Sequence, residues 1–225
     1  MSTPSFPADW GPLPSGRHRL SRDEVLASQR GRILAAMAAV VTEKGYGTVA
    51  VGDVVRRANV SKRTFYEHFA DKESCFLATY DIGLEFILGR MSEALEPLPS
   101  DDWAARLRTG IAAYLEVLAA EPEFAWALTI ETLAAGPEAA ARRATGLALF
   151  AGNYQDLYAL ARRDDRSLPT LPDEVFLGLT GGIDELVRET LRTDGAAALP
   201  GVAEVAMRFL EATVFARPGP RGPRG

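Results

Sequence analysis

The sequence predicts an all-α protein of about nine helices. Proline and glycine divide the 225 residues into helix-length segments, and apolar residues recur inside those segments at helical spacing. No segment alternates apolar and polar residues in the manner of a half-buried strand, and no internal repeat stands out. The length suits one or two domains with a substantial core.

The elements follow in order. Residues 1–20 are rich in Pro, Ser and Gly without apolar periodicity, which predicts a flexible N-terminal arm. Ser21, followed by Asp23 and Glu24, opens a helix whose apolar row is Leu26, Ile33, Met37 and Val40, and Gly45 and Gly47 end it. Short helices follow over 51–58 and 61–69. Asp71 is positioned to cap a longer helix from Lys72 to about Glu96, closed by Pro97 and Pro99. Ser100-Asp-Asp opens the next, which ends before Pro122. Residues 123–135 form a short helix stopped by Gly136-Pro137. Pro137, Pro172 and Pro200 suit the first turn of helices near 137–163, 172–193 and 200–216. Residues 217–225, RPGPRGPRG, predict a disordered tail.

Bulk composition narrows the function. The single cysteine, Cys75, excludes an internal disulfide and fits a reducing compartment. The N-terminal stretch MSTPSFPADWGPLPSG lacks the apolar core of a signal peptide. The apolar run 111–120 is too short to span a bilayer and contains Glu116, so the expectation is a soluble cytoplasmic protein with no membrane partner. The formal net charge of −5 hides a division. Residues 15–73 carry 11 Lys+Arg against 7 Asp+Glu, and the remainder 14 against 23, with both histidines in the basic part. That asymmetry reads either as a basic interaction module on an acidic body or as uneven surface composition.

The two short helices carry the most specific signal. Helices 51–58 and 61–69 are joined by almost nothing, the helix-turn-helix arrangement. Val51, Val54, Val55 and Ala58 form an inner face. Asn59 occupies a turn where positive φ is often needed, and Ser61 is a favourable N-cap. Phe65 and Phe69, four apart, point inward together. Ser61, Lys62, Arg63, Thr64 and Tyr66 are left on the sides and outer face, where major-groove readers place their contacts.

Residues 26–80 resemble the DNA-binding domain of the TetR family of bacterial repressors. The resemblance rests on Gly45-Tyr46, Val51-x-Asp53-Val54, Ala58-Asn-Val-Ser61, Thr64-Phe-Tyr-x-His-Phe69 and Lys72-Glu73. It implies a homeodomain-like helix-turn-helix domain over 21–80 and an effector-binding and dimerisation domain over 81–216. It also implies that helix 61–69 is the recognition helix, with Ser61, Lys62, Arg63, Thr64 and Tyr66 facing DNA. Tyr66, His68 and Lys72 resemble phosphate contacts, with a buried structural histidine as the alternative reading of His68. Arg17 and Arg19, ahead of the first helix, are either a minor-groove arm or incidental charge on a tail. Two departures stand out. Ala50 replaces the family's usual capping Ser or Thr, which costs about 1 kcal/mol unless Thr48 compensates. Asn59 replaces the usual turn glycine.

In the C-terminal part the resemblance implies a small-molecule pocket and a homodimer. Trp103, Tyr114, Phe124, Trp126, Phe150 and Tyr154, with Thr129, Glu131 and Asn153 as polar anchors, are pocket candidates; aromatic residues at this spacing also serve as plain core. Phe176, Leu179, Ile183, Val187, Val202, Val205 and Phe209 are candidates for the dimer interface, with Gly178, Gly181 and Gly182 permitting close helix approach.

The competing classes are a helical enzyme and a protein-binding adaptor with an incidental basic face. No HExxH, G-x-S-x-G, phosphate-loop or dinucleotide motif is present, and the His and Cys content suggests no metal site or cofactor. The expectation is therefore a regulator of transcription, with no catalytic residues, that binds a palindromic double-stranded operator and a small-molecule effector. Effector release of a repressor is the expected mode.

Overall fold

The computed structural model describes residues 22–215. The arm with Arg17 and Arg19, the start at Ser21 and the tail 217–225 lie outside the described residues. Among the described residues there are nine α-helices and no strand: α1 (Arg22–Lys44), α2 (Val51–Ala58), α3 (Lys62–His68), α4 (Lys72–Leu95), α5 (Trp103–Ala120), α6 (Pro122–Thr129), α7 (Pro137–Asp164), α8 (Asp173–Thr193) and α9 (Val202–Val214). Two 3-10 segments also occur: Glu131–Ala134 stands where the sequence predicts α-helix, and Ala196–Gly201 overlaps only the first two residues of the helix expected over 200–216. The expected helix 123–135 is thus interrupted at Ile130. The last helix begins later than expected because Pro200, which has no N–H to donate, sits inside the second 3-10 segment. No described helix is long and apolar enough to cross a membrane, and no described group of three His, Cys, Asp or Glu residues could hold a metal ion.

The chain forms two compact units. Among the described residues, one comprises 22–87 together with Ala120–Arg143; the other comprises Leu88–Ala119 and 144–215. The boundary expected at residues 80 and 81 is therefore not where these units divide: α6 and the 3-10 segment after it group with the helix-turn-helix.

In the first unit α1 is buried far beyond the single row its spacing suggests. Ile33, Leu34, Met37, Ala38 and Val41 are all at 0% exposure. The run Ala35–Ala36–Met37–Ala38–Ala39–Val40–Val41 is apolar all round, and a helix of that kind requires cover on more than one side. α2 and α3 supply part of it through Val54, Val55, Ala58 and Phe65. α6 supplies more through Phe124, Ala125, Ala127 and Leu128. Gly83 of α4 lets Leu128 in: a Cβ there would stand 2.9 Å from both Leu128 methyl carbons.

The second unit packs α5, α7, α8 and α9. Leu107, Ile111, Leu115 and Leu118 of α5 are buried, as are Phe176, Leu179, Ile183, Val187 and Leu191 of α8. Trp103 stacks on Phe215 with ring centroids 5.0 Å apart, and its Nε1–H donates to Asp164 at 3.2 Å. Gly182 takes the ring of Phe209, whose Cε1 would lie 2.6 Å from a Cβ at that position.

Candidate nucleic-acid interface and cleft

The turn between α2 and α3 is built from local chemistry. Asn59 has φ 53° and ψ 51°, the left-handed region that asparagine tolerates better than most L residues. Its N–H and that of Val60 close on the Arg56 and Val55 carbonyls, at 3.3 and 3.0 Å. Arg32 of α1 donates to the Ala58 carbonyl at 3.3 Å, holding the end of α2 from outside. Ser61 then caps α3, its Oγ accepting the Thr64 N–H at 3.0 Å and lying 2.9 Å from the Thr64 hydroxyl. Phe65, with no exposed surface, anchors α3, and Phe69 packs 5.8 Å from it.

With that face fixed inward, Lys62, Arg63 and Tyr66 are exposed. Tyr66 is 54% exposed, unusual for so large a ring, and stands edge-on to Phe65 at 5.4 Å. Arg63 forms an ion pair with Glu67 at 3.0 Å; its side chain is 90% exposed, so the pair contributes little to stability and is easily exchanged for another anion. Glu67 is a carboxylate on this face that the sequence reading did not weigh. Thr64 is half-buried, its hydroxyl tied to Ser61.

The start of α2 lacks its side-chain cap, since Ala50 has no acceptor. Half of the expected box survives: the Asp53 carboxylate accepts the Ala50 N–H at 3.1 Å. Lys44 at 2.7 Å and Arg56 at 3.0 Å share the other Asp53 oxygen. The Lys44 hydrogen bond, followed by the Ala50 N–H, holds this carboxyl below the usual carboxylate range. Thr48 does not compensate, because its hydroxyl donates to the end of α1, 2.6 Å from the Lys44 carbonyl.

At the start of α4, Asp71 is the cap: its carboxylate accepts the Ser74 N–H at 2.7 Å while its own N–H donates to Ser74 Oγ at 3.1 Å. These contacts with Ser74 lower the Asp71 pKa. Lys72 follows, its ammonium 2.9 Å from the Tyr46 carbonyl and 4.2 Å from the centre of the Tyr46 ring. His68 is half-buried, with Nε2 turned inward and without a protein partner. Desolvation, then the nearby Arg30, lowers its pKa, so the imidazole is neutral at pH 7.

The pocket candidates divide. Phe150, Asn153 and Tyr154 of α7 line a cleft of about 1000 Å³ in the second unit. Its other walls are the C-terminal half of α4, with Leu88, Met91 and Leu95, and α5, with Arg106, Leu107 and Ile111. Burial pushes the Tyr154 hydroxyl pKa up. Tyr114 packs on Phe150 with centroids 5.3 Å apart but is not in the lining, and Trp103 belongs to the Phe215 stack. Phe124, Trp126, Thr129 and Glu131 lie in the first unit and form no part of this cleft. Aromatic content alone could not separate these groups, because helical spacing does not say which neighbouring helix a ring meets.

The residues expected at the dimer face divide: Val205 and Phe209 are exposed, and the others are not. Phe176, Leu179, Ile183, Val187 and Val202 are buried, at 8% exposure or less, within the chain's own core. They form the inner row of α8 and the start of α9. Exposed apolar surface lies on the opposite side: Leu177 at 48%, Val205 at 51% and Phe209 at 37%. A Cβ at Gly178 or Gly181 would meet nothing within 4 Å.

A helix-turn-helix with an exposed basic and aromatic helix defines the class of DNA-binding regulators. Comparison with known proteins agrees with that class. Residues 33–79 match the family model for bacterial regulatory proteins of the tetR family. The HTH-type transcriptional activator FasR of Mycolicibacterium smegmatis is 30% identical over 101 residues, 45% of this chain and 43% of that protein. The HTH-type transcriptional regulator EthR of the same organism is 30% identical over 106 residues, covering 47% and 48%. The chain thus spans about half the length of the curated relatives it matches.

The fold extends further. The fatty acid degradation regulator FadR from Bacillus halodurans superimposes with a TM-score of 0.74 at 17% identity, covering 84% of this chain and 97% of that one. FadR from Bacillus subtilis, solved in complex with stearoyl-CoA, gives 0.69 at 18% identity, covering 80% and 96%. Residues 33–79 thus carry the tetR-family domain, and the fold of the chain resembles that of these solved structures.

Proposed function

We propose that the protein is a homodimeric transcription regulator that binds a palindromic DNA operator through α3 and is released from it by a small-molecule effector. The observation that carries this reading is the α2–α3 pair itself. Its inner face is locked by Phe65 and Asn59, while Lys62, Arg63 and Tyr66 are presented outward on a short, capped helix. Lysine and arginine neutralise phosphates, arginine can bind guanine in a bidentate manner, and hydroxyls position the backbone. The Nε2 of His68 is turned inward, so a phosphate does not meet that atom. Arg17 and Arg19 are assigned to the minor groove by their place ahead of α1 in the sequence alone.

Dimerisation is assigned to the outer face of α8 and α9. Leu177, Val205 and Phe209 provide apolar area there, and the side-chain-free surface at Gly178 and Gly181 allows a second copy close approach. A two-fold dimer presents two α3 helices, so a palindrome is the matching operator.

The effector is assigned to the cleft between α4, α5 and α7. Its walls are aliphatic and aromatic, which suits a ligand with a long apolar portion. Glu93, Glu96 and Asp156 lie along it. Its one basic lining residue, Arg106, is directed to the Leu95 and Leu98 carbonyls, at 3.3 and 3.5 Å. That charge balance favours an uncharged or cationic polar end over an anionic one. The stearoyl-CoA bound by the Bacillus subtilis FadR combines an apolar chain with an anionic carrier, so it makes a discriminating probe.

Selection of operator sequences from genomic fragments with the purified protein tests the reading. A palindromic site should be enriched, and the Lys62→Ala/Arg63→Ala double variant should lose it. Unchanged affinity in that variant would remove α3 from the role of recognition helix. Adding stearoyl-CoA or a neutral long-chain ester to the complex, followed by in vitro transcription, reads both the effector class and the sign of control.

A further inference from the structure

We propose that Glu131 is a positioning residue for Lys72, acting through the backbone of Tyr46, so that the affinity of the protein for DNA phosphates depends on a carboxylate remote in sequence from the helix-turn-helix. The proposal rests on the DNA-binding reading above.

Glu131 opens the 3-10 segment after α6 and is half-buried in the same compact unit as α1 to α3. Its two oxygens accept from two different donors: Oε2 from the Tyr46 N–H at 2.7 Å, Oε1 from the Trp126 Nε1–H at 3.1 Å. Tyr46 can present its N–H because Gly45, at φ +78°, turns the chain off α1 after donating its own N–H to the Val41 carbonyl at 2.8 Å. On its other side the Tyr46 carbonyl accepts from Lys72 at 2.9 Å, and the same ammonium stands 4.2 Å over the Tyr46 ring. That ring is held edge-on to Phe76, which is 1% exposed, at 4.9 Å.

Tyr46 is therefore fixed at its N–H, its carbonyl and its ring, and both recorded contacts of the Lys72 ammonium are to Tyr46. A lysine stem is flexible, and holding it in place beforehand reduces the ordering that phosphate binding would otherwise require. One ammonium hydrogen is engaged, and two remain for a phosphate. The bond from Glu131 is charge-assisted, hence among the stronger ones holding this loop. Glutamine cannot replace it. Its single acceptor oxygen can serve one N–H, while its NH2 would face the other.

The test is a double-mutant cycle of Glu131→Gln and Lys72→Ala in the full chain, with the selected operator and an unrelated duplex across a salt series. Glu131→Gln should weaken both duplexes by about fivefold, the size of coupling expected between contacting groups. It should also lower the salt slope. In the Lys72→Ala background the same substitution should change affinity less than about twofold. A full loss persisting in that background, or wild-type binding by Glu131→Gln, overturns the proposal. If Glu131→Gln does not fold, Trp126→Phe decides by the same criterion, because it keeps the ring and removes one of the two donors. Wild-type protein that binds no duplex overturns the DNA-binding reading itself, an outcome distinct from wild-type binding with an additive cycle.

Discussion

Ala50→Ser should stabilise the protein, and the structure sets by how much. Ala50 sits at the N-cap of α2 with φ −110° and ψ 156°, the extended conformation that a capping serine adopts. Ser61, the native cap of α3, has φ −78° and ψ 157°, so the substitution requires no backbone change. Asp53 already provides half of a capping box through the Ala50 N–H. The gain is limited, because the Asp53 N–H that a serine would satisfy already reaches the Ala50 carbonyl at 2.9 Å. We expect about 0.5 kcal/mol, the low end for a cap, and a rise in Tm of about 1–2 °C for a chain of this size. Ser61→Ala is the reference: it removes the hydroxyl that accepts the Thr64 N–H, and should cost about 1 kcal/mol and about 2–4 °C. Thermal and urea melts followed by circular dichroism measure both. If Ala50→Ser melts with the wild type while Ser61→Ala loses its full increment, the missing cap is not a weakness of α2 and the reasoning fails.

Lys72→Ala should weaken all duplexes similarly and reduce the salt slope by about one ion per subunit; a loss confined to one sequence would make Lys72 a base reader. Val205→Glu should give a folded monomer, because its side chain is already exposed, whereas Phe209→Glu should give a monomer of lower stability, because the Phe209 ring also packs on Gly182. Ile183→Glu should instead misfold, since it places a charge at a position 3% exposed. Light scattering with a melt separates the two outcomes, and dimeric Val205→Glu and Phe209→Glu would move the interface elsewhere. For His68 the folded pKa lies below the ordinary 6.5 because of desolvation and Arg30. Its contribution to stability is thus fully present above about pH 6.5 and is lost as pH falls from there through the folded pKa. His68→Gln should flatten the dependence of the melting temperature on pH just below about 6.5, whereas an unchanged slope would assign it to the carboxylates.

Most of the helices were legible because their limits are set by neighbours along the chain. Gly45 ends α1 with a positive φ, Ser61 and Asp71 cap α3 and α4, and Pro137 begins α7. The helix-turn-helix was legible for the same reason. Asn59, Ser61, Phe65 and Phe69 act within one short stretch, and inward placement of the rings leaves Lys62, Arg63 and Tyr66 among the residues that face out.

What the sequence could not decide was which side of an apolar helix meets which neighbour. Periodicity marks an apolar face but not its partner. Phe176, Leu179, Ile183 and Val187 therefore read as one dimer face with Val205 and Phe209, whereas packing buries the first four in their own core and leaves Val205 and Phe209, with Leu177, outside. The same limit hid the cleft, whose α4 wall is an ordinary aliphatic stretch and whose lining does not include Phe124, Trp126 or Glu131. Glu131 shows the reason most directly. Its role depends on a 2.7 Å bond to a backbone N–H 85 residues away, and a backbone donor has no letter of its own in the sequence. Local capping and turn chemistry were written in adjacent residues; contacts across such separations exist only once the chain has folded.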